Sequence, residues 1–482
     1  MIKSIRFKNY RNLNEKYSFN NILNVIVGKN NSGKTNILEG IKLAFSTITN
    51  DYCKINKSDF KESDDNNVIE IDVELDYNAI PTLNFCDENQ ENKCGFSVRV
   101  YKTQSGRFVK HVLMLNGSQV DMDILREDPK LPNLFLIPIV RIEDIYTAGL
   151  TTGISTFIDS EEKYKELKNE SKEKIKNELK NKTDKFKELC NKFNQNLFVE
   201  LTDPKISNEK VYIVDGDLEH NLNIGAGYKS IANILLNTLD EKYNIILIDE
   251  IENHLHPALI RNLIRELRTV SNTIIISTTH SPVVINELKM EEIIDVSGKT
   301  IDLIREKDCI DKLNTFLHPG RNELILADNV VLVEGYTEEI LLKYYLNNIN
   351  YNWTIVNVAG VMFEPYIRLA CLLSKKVVVV SDNDKLLSKE QENSERFKNL
   401  QSLCAEKNIK LIETENTLET DLQKNGYLDC CMELLKKHKD YPDFYVAKSK
   451  KKMEIVEKLI EKNINLTDWH IIKEIVNEFE GN

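Results

Sequence analysis

Two apolar runs in the second half of this chain each stop on acid. Val330-Val331-Leu332-Val333 runs into Glu334-Gly335, and Val377-Val378-Val379-Val380-Ser381 runs into Asp382-Asn383-Asp384. Unbroken apolar runs of strand length are expected of strands buried on both faces of a parallel sheet. Groups at the carboxyl ends of such strands share one rim. Glu334, Asp382 and Asp384 are therefore expected to converge. Three carboxylates crowded into a partly dry place repel one another, and divalent cations are the usual remedy. The chemistry on offer is metal-assisted attack on a phosphodiester, one Mg²⁺ or Mn²⁺ activating water and a second holding the leaving oxygen.

A second constellation lies near the start. Gly28-Lys29-Asn30-Asn31-Ser32-Gly33-Lys34-Thr35 follows the apolar run Ile22–Val27 and opens a segment, Asn36–Phe45, that is apolar at helical spacing. Strand, GxxxxGK[ST] loop and helix in that order form a phosphate-binding loop. Backbone N–H groups from Gly28 to Asn36, with Asn30, Asn31, Ser32 and Gly33 between, would cradle the phosphates of ATP at a helix N-terminus. Lys34 would reach the β- and γ-phosphates and Thr35 would ligate Mg²⁺. Downstream, Ile245-Ile246-Leu247-Ile248 ends on Asp249-Glu250. Asp249 is placed to hold the same Mg²⁺, and Glu250 to orient the attacking water. The buried strand Thr273–Ser277 leads to His280, where an imidazole could touch the γ-phosphate. His254 and His256 stand two apart and do not share a helix face, so they are not read as a zinc pair.

The elements that must position these groups are legible from their periods. Residues 3–8 and 22–27 read as strands, and 68–76 and 95–115 alternate as an antiparallel region does. Residues 134–140 form another apolar strand. Lys and Glu dominate 160–198, where Leu167, Ile175, Leu179, Phe186, Leu189, Phe193 and Leu197 recur at threes, fours and their multiples. That spacing predicts one long helix whose narrow seam suits pairing with a second subunit. A short strand is expected over 211–214, followed by the turn Gly225-Ala226-Gly227. A connector spans 287 to about 327. Strands to Glu334, over 354–358 and over 376–381 then alternate with helices over 337–347 and 363–373. Such alternation predicts a parallel sheet with helices on its faces.

The 482 residues give room for two or three domains, and 41% apolar with 29% charged content is that of a globular protein. No apolar run approaches the roughly 20 residues that cross a bilayer. The N-terminus lacks a signal-peptide core, and nine scattered Cys form no CxxC pair, so reduced thiols in the cytoplasm are expected. A net charge of −12 argues against a protein that coats DNA with positive charge, but not against a local basic stripe.

In order, Gly28–Thr35, Gly225-x-Gly227, Ile245–Glu250, Glu252–Pro257 and His280 resemble the ABC-type ATPases of the RecF and SMC kind. That resemblance implies ATP sandwiched between two subunits, the Gly225–Gly227 turn of one facing the phosphate loop of the other, and hence a homodimer or higher even oligomer. Ile224 replaces the Ser usual before the turn, and 137–145 holds no Gln, so nucleotide binding is expected ahead of fast turnover. Glu334-Gly335 with Asp382-x-Asp384 looks like a Toprim domain. The two together are the layout of OLD-family nucleases, which include antiphage effectors. The fold this implies is mixed α/β: an ABC-type ATPase at 1–150 and 206–318, interrupted by a helical dimerisation insertion at 151–205, then a Rossmann-like Toprim domain at 319–482.

By the same resemblance Glu334, Asp382 and Asp384 are metal ligands, with Glu338, Glu419 and Asp421 completing a second position. Lys448 or Lys450 would neutralise the phosphate, although Lys448–Lys452 is also simply a basic run of the kind that faces solvent. The implied activity is cutting or nicking of DNA under ATP control. A helicase or a retron RNA–DNA is a partner found in such systems. The rival reading is a RecF-like ATP-dependent DNA clamp whose acidic rim is structural.

Overall fold

The computed structural model describes residues 2–49, 53–87, 89–128, 139–140, 188–189, 192–193, 197–201, 211–215, 218–219, 226–239, 245–269, 273–296, 319–346, 353–360, 363–383, 394–437, 445–447 and 451–480. The chain divides into two units, Met1–Thr300 and Ile301–Asn482.

In the first unit, β1 (Ile2–Lys8), β2 (Lys16–Ser18), β4 (Ile69–Leu75), β5 (Asn84–Cys86), β6 (Asn92–Lys102) and β7 (Phe108–Met114) make an antiparallel sheet in the order β2-β1-β4-β6-β5, with β7 also paired to β6. Alternation is clean on β4, where Ile69, Ile71, Val73 and Leu75 are buried and Glu70, Asp72 and Glu74 face outward to Lys8, Arg6 and Lys16. A parallel sheet follows the order β14-β3-β13-β12-β8: β3 (Leu23–Val27), β8 (Ile139–Val140), β12 (Ile245–Ile248), β13 (Ile274–Thr279) and β14 (Ile293–Asp295). Its central strands β3, β12 and β13 are buried throughout, as their unbroken apolar runs predict. The helix α1 (Lys34–Thr49) packs against β13 of this sheet and against β4 and β6 of the other. Its buried face is Ile37, Leu38, Ile41, Ala44, Phe45 and Ile48, and Phe45 meets Phe96 edge-on at 5.6 Å. One apolar core thus joins both sheets through α1. The remaining α-helices among the described residues are α2 (Met122–Glu127), α3 (Ala226–Leu239), α4 (Pro257–Leu267) and α5 (Pro282–Glu287).

Two expectations are corrected here. The helix expected over 160–198 does not reach its end, because β9 (Leu197–Leu201) is a strand paired with β10 (Val211–Asp215), which also pairs with β11 (Leu218–Glu219). Nearly all the rest of that helix lies outside the described residues. The connector expected after 287 contains β14, a short strand that pairs with β3 and closes the parallel sheet on that side.

In the second unit, β15 (Asn329–Val333), β16 (Trp353–Asn357), β17 (Lys376–Asp382) and β18 (Lys410–Thr414) form a parallel sheet in the order β16-β15-β17-β18. The strand β18 has no counterpart in the sequence reading. Its alternating burial, unlike the solid runs of β15 and β17, marks an edge strand. The helices are α6 (Pro319–Leu326), α7 (Tyr336–Leu346), α8 (Phe363–Leu372), α9 (Glu395–Glu406), α10 (Leu418–Lys424), α11 (Lys452–Glu461) and α12 (His470–Glu480), and a short hairpin pairs β19 (Leu435–Lys437) with β20 (Tyr445–Ala447). Helices α7, α10, α11 and α12 share a core with β15 and β17, built around Trp469, Leu341, Leu422 and Leu459. Because all four central strands run the same way, Glu334, Asp382 and Thr414 fall on one rim.

Candidate active site

The first unit places its chemistry where β3, β12 and β13 end. Between β3 and α1 the chain turns through Asn31, at φ 62°, and Gly33, at φ +100°. That φ demands glycine, and an added Cβ would also stand 2.5 Å from Asn12 Nδ2 and push the amide aside. Lys34 is buried, and its Nζ donates to the carbonyls of Gly28 (2.9 Å) and Lys29 (2.7 Å). Burial lowers its pKa, against the pull of Glu250, Glu252 and Asp249. The Thr35 hydroxyl donates to Asp249 at 3.1 Å, and Thr278 donates to the same carboxylate at 2.8 Å. Thr278 in turn accepts the N–H of Glu250 at 2.8 Å, which fixes Glu250 in a left-handed conformation at φ 52°. Asn253 donates to Glu250 at 2.8 Å.

Glu252, which sequence reasoning passed over, accepts the Thr279 hydroxyl (2.8 Å) and the backbone N–H of His280 (3.0 Å). The His280 Nδ1 stands 3.4 Å from Glu252 and 3.8 Å from Glu250. A cavity of about 880 Å³ opens over these groups, lined by Asn30, Lys34, Thr35, Glu250 and His280 and walled by Arg11. Ser32 Oγ is buried with no hydrogen-bond partner among the described residues. Volume, buried lysine, paired Thr35–Asp249 and that unsatisfied hydroxyl fit a nucleotide with Mg²⁺. Asn36 is drawn away from the loop: its amide donates to Asn12 at 2.7 Å and its oxygen accepts from Arg11 at 2.7 Å. Gly225 lies outside the described residues. Gly227 sits in the first turn of α3, where a Cβ would approach the His254 carbonyl to 2.6 Å.

The second unit gathers Glu334, Glu338, Asp382 and Glu419. Glu334 Oε1 accepts from the Ser381 hydroxyl (2.6 Å), the Asp382 N–H (3.0 Å) and Arg396 Nη2 (2.6 Å), while Oε2 takes Arg396 Nη1 at 3.2 Å. Glu338, one helical turn on, lies over Gly335, whose added Cβ would stand 2.9 Å from its Oε2. Asp382 accepts a hydrogen bond from Thr414. Burial raises the Asp382 carboxyl well above its ordinary value; the Thr414 bond opposes this, and Glu334, Glu338 and Glu419 add to it. Burial likewise raises Glu338, with Glu334 and Glu419 contributing. Glu419 is buried at the start of α10, and its Oε1 faces Lys452 Nζ at 3.3 Å. Burial alone would lower the Lys452 ammonium, but Glu419, Glu338 and Asp382 outweigh it and raise it.

Some of the expected site residues are not described, and one is placed elsewhere. Asp384, Lys448 and Lys450 lie outside the described residues. Lys452, the last residue of the same basic run, reaches Glu419 from the first turn of α11; the signal for it was its place at the start of a helix rather than in the run. Asp421 is not part of the cluster. It accepts the N–H groups of Glu415 (2.9 Å), Trp469 (2.7 Å) and His470 (3.0 Å), which together hold its carboxyl below its ordinary value against the effect of burial. Its lone pairs are spent on the α10–α12 contact. Arg396 was missed because nothing in the sequence links the first turn of α9 to a glutamate 62 residues earlier.

Among the described residues no group of three Asp, Glu, His or Cys side chains is arranged to hold a metal ion as it stands. The donor set nonetheless fits a hard cation. Four carboxylates feel one another through a partly buried space, Arg396 and Lys452 are the cationic side chains that the described residues set against them, and oxygen ligands suit Mg²⁺ or Mn²⁺.

Comparison with known proteins agrees with this division. Residues 1–224 match the family model of an AAA ATPase domain, and 197–286 that of an AAA domain described as a putative AbiEii toxin of a type IV toxin–antitoxin system. Residues 325–384 match the Toprim domain of overcoming-lysogenization-defect-like proteins. A phosphate-loop ATPase followed by a parallel-sheet Toprim domain is thus the class that fold and sites define. An ATPase domain followed by a Toprim domain similar to that of overcoming-lysogenization-defect-like proteins is the layout of the OLD family.

Two curated relatives are both called Endonuclease GajA. The one from Bacillus cereus strain HuB5-5 is 26% identical over 39% of this chain and 35% of its own length. The one from strain VD045 is 24% identical over 79% of this chain and 74% of its own length. The chain therefore spans about a third of the first relative and three quarters of the second. Among solved structures, an Smc head bound to the winged-helix domain of ScpA aligns at 16% identity with a TM-score of 0.47, covering 61% of this chain and 93% of that one. An Smc head from Pyrococcus furiosus aligns at 16% identity with a TM-score of 0.42, covering 65% and 99%. No described helix is long and apolar enough to cross a membrane.

Proposed function

We propose that this chain is a divalent-metal-dependent DNA endonuclease of the OLD family, regulated by ATP and serving in defence against phage. The observation that carries the reading is the meeting of Glu334, Glu338, Asp382 and Glu419 with Lys452 at the carboxyl rim of a parallel sheet. Glu334, Glu338, Asp382 and Glu419, joined by Asp384, would hold Mg²⁺ or Mn²⁺, which supplies an activated water and a Lewis acid at the scissile phosphate. Lys452 would offset phosphate charge at the same rim. Asp249 and Thr35 would hold the Mg²⁺ of ATP, with His280 and Glu250 at the γ-phosphate. The Gly225–Gly227 turn of one subunit would face the phosphate loop of another, so that an even oligomer shares each nucleotide. A helicase or a retron RNA–DNA would be a further partner in such a system.

Supercoiled plasmid incubated with the full chain and Mg²⁺ or Mn²⁺ tests this. Nicked or linear product is expected, lost in Asp382→Ala and changed by ATP. ATP-dependent DNA binding without scission under either metal would instead make the chain a RecF-like clamp.

A further inference from the structure

Among the described residues, Glu334 is the best-held carboxylate of the rim. Its Oε1 takes three donors, more than its two lone pairs serve well, and two of the three belong to the backbone and hydroxyl of β17. Those two fix the side chain. The third donor, Arg396 Nη2, and its neighbour Nη1 on Oε2 make a two-pronged guanidinium–carboxylate pair, the strong geometry for such contacts. Arg396 also brings Nη2 to 3.5 Å from the Asp382 carbonyl. Its guanidinium therefore stands on the side of Glu334 left open by β17, next to Asp382. Arg396 is about one-third exposed and Glu334 far less so. The arginine comes from the first turn of α9, capped by the Ser394 hydroxyl, and not from a strand of the sheet.

We propose that Arg396 and a divalent cation compete for Glu334. The guanidinium holds the carboxylate in place until the cation takes it, and is then released beside the bound phosphate. The proposal rests on the reading of the rim as a metal site. A cation and a guanidinium on one carboxylate repel each other, whereas the freed guanidinium has a planar set of donors suited to a phosphate's oxygens. Arg396 is in this sense a positioning residue for the empty rim and a phosphate contact for the loaded one.

The test uses the full chain. Mn²⁺ binding without DNA is followed by calorimetry for wild type, Arg396→Gln, Arg396→Lys and Asp382→Ala, with melting curves to show that each variant folds. Arg396→Gln is expected to bind Mn²⁺ about tenfold more tightly, and Arg396→Lys to fall between it and wild type. At saturating Mn²⁺, plasmid cleavage by Arg396→Gln is expected to drop at least about tenfold, with partial rescue by lysine. Unchanged or weaker Mn²⁺ binding in a folded Arg396→Gln overturns the competition. Full cleavage by that variant at saturating metal overturns the release onto phosphate. If wild type binds no Mn²⁺ that Asp382→Ala abolishes, the metal reading itself fails, a result distinct from the other two.

Discussion

Thr35 and Asp249, 214 positions apart in the chain, are joined by a hydrogen bond of 3.1 Å. The contact ties the phosphate loop to the end of β12 and places the two oxygens that would ligate Mg²⁺ side by side. Lys34→Ala is expected to weaken ATP binding by at least a hundredfold, since it removes the one buried ammonium of the loop, worth about 3 kcal/mol or more. Asp249→Asn should retain ATP binding but lose most of its dependence on Mg²⁺. Titration with a fluorescent ATP analogue, with and without Mg²⁺, separates the two effects. Equal affinities for wild type and Lys34→Ala would remove the nucleotide from this site.

Asp382, half-buried, and Asp421, buried, are both acids of the second unit, yet opposite outcomes are expected from removing them. Asp382 sits among other carboxylates, so Asp382→Asn should abolish cleavage while raising the melting temperature or leaving it alone. Asp421 satisfies Trp469, His470 and the Glu415 N–H, so Asp421→Ala strands buried donors and should cost about 2–3 kcal/mol of stability. Cleavage per folded molecule should survive. Plasmid assays normalised to the folded fraction would show whether Asp421 is structural or belongs with the ligands after all.

That contrast marks where the sequence was readable. The runs Val330–Val333, Val377–Val380 and Ile245–Ile248 announced buried parallel strands, and because the first two share one sheet and one direction, the acids at their ends, Glu334 and Asp382, must meet. The phosphate loop was readable for the same local reason. What was not readable depends on side-chain direction in three dimensions. Asp421 and Glu419 are two apart at the start of one short helix, so they face different neighbours: Glu419 meets Lys452, and Asp421 meets Trp469 and His470. No periodicity states which faces the rim. Short strands such as Ile293–Asp295 and the edge strand Lys410–Thr414 carry too few residues to show a period of their own.

The His470–Asp421 pair gives the second unit a pH dependence with a definite sign. The hydrogen bond that His470 donates to the Asp421 carboxylate, against burial and with help from the charges of Asp421 and Glu474, raises His470 above its ordinary value. A group whose folded pKa is raised stabilises fully below its unfolded pKa, about 6.5 for histidine, and that contribution fades as pH climbs through the folded value. The lowered Asp421 carboxyl stabilises above its unfolded pKa, about 3.9, and its share is lost as pH falls through the folded value. The pair therefore contributes most between those two unfolded values. Melting temperature should decline above about pH 6.5 in wild type, and this decline should flatten in His470→Gln. A variant with the wild-type slope would assign the dependence elsewhere.

Arg268 and Glu292 make the most fully engaged ion pair of the first unit's described residues outside the nucleotide cavity. Arg268 donates through Nε and Nη2 to the two Glu292 oxygens at 2.6 Å each, and Nη2 also reaches the Glu287 carbonyl. Glu292 is buried, and it accepts the Lys289 N–H as well. The pair ties the end of α4 to the turn that leads into β14, and so holds the strand that completes the parallel sheet beside β3. Removing the arginine leaves a buried carboxylate without its cation, which costs about 3 kcal/mol. Arg268→Ala should therefore unfold the first unit at clearly lower denaturant concentration. Arg268→Lys should recover only part of the loss, because one ammonium cannot serve two oxygens and a carbonyl in a plane. The double change Arg268→Met with Glu292→Leu, which removes both charges and keeps the bulk, should restore most of the stability. Chemical denaturation of the three variants checks the order, and a double variant as unstable as Arg268→Ala would show that the hydrogen bonds to Glu287 and Lys289, rather than the charge pair, secure β14.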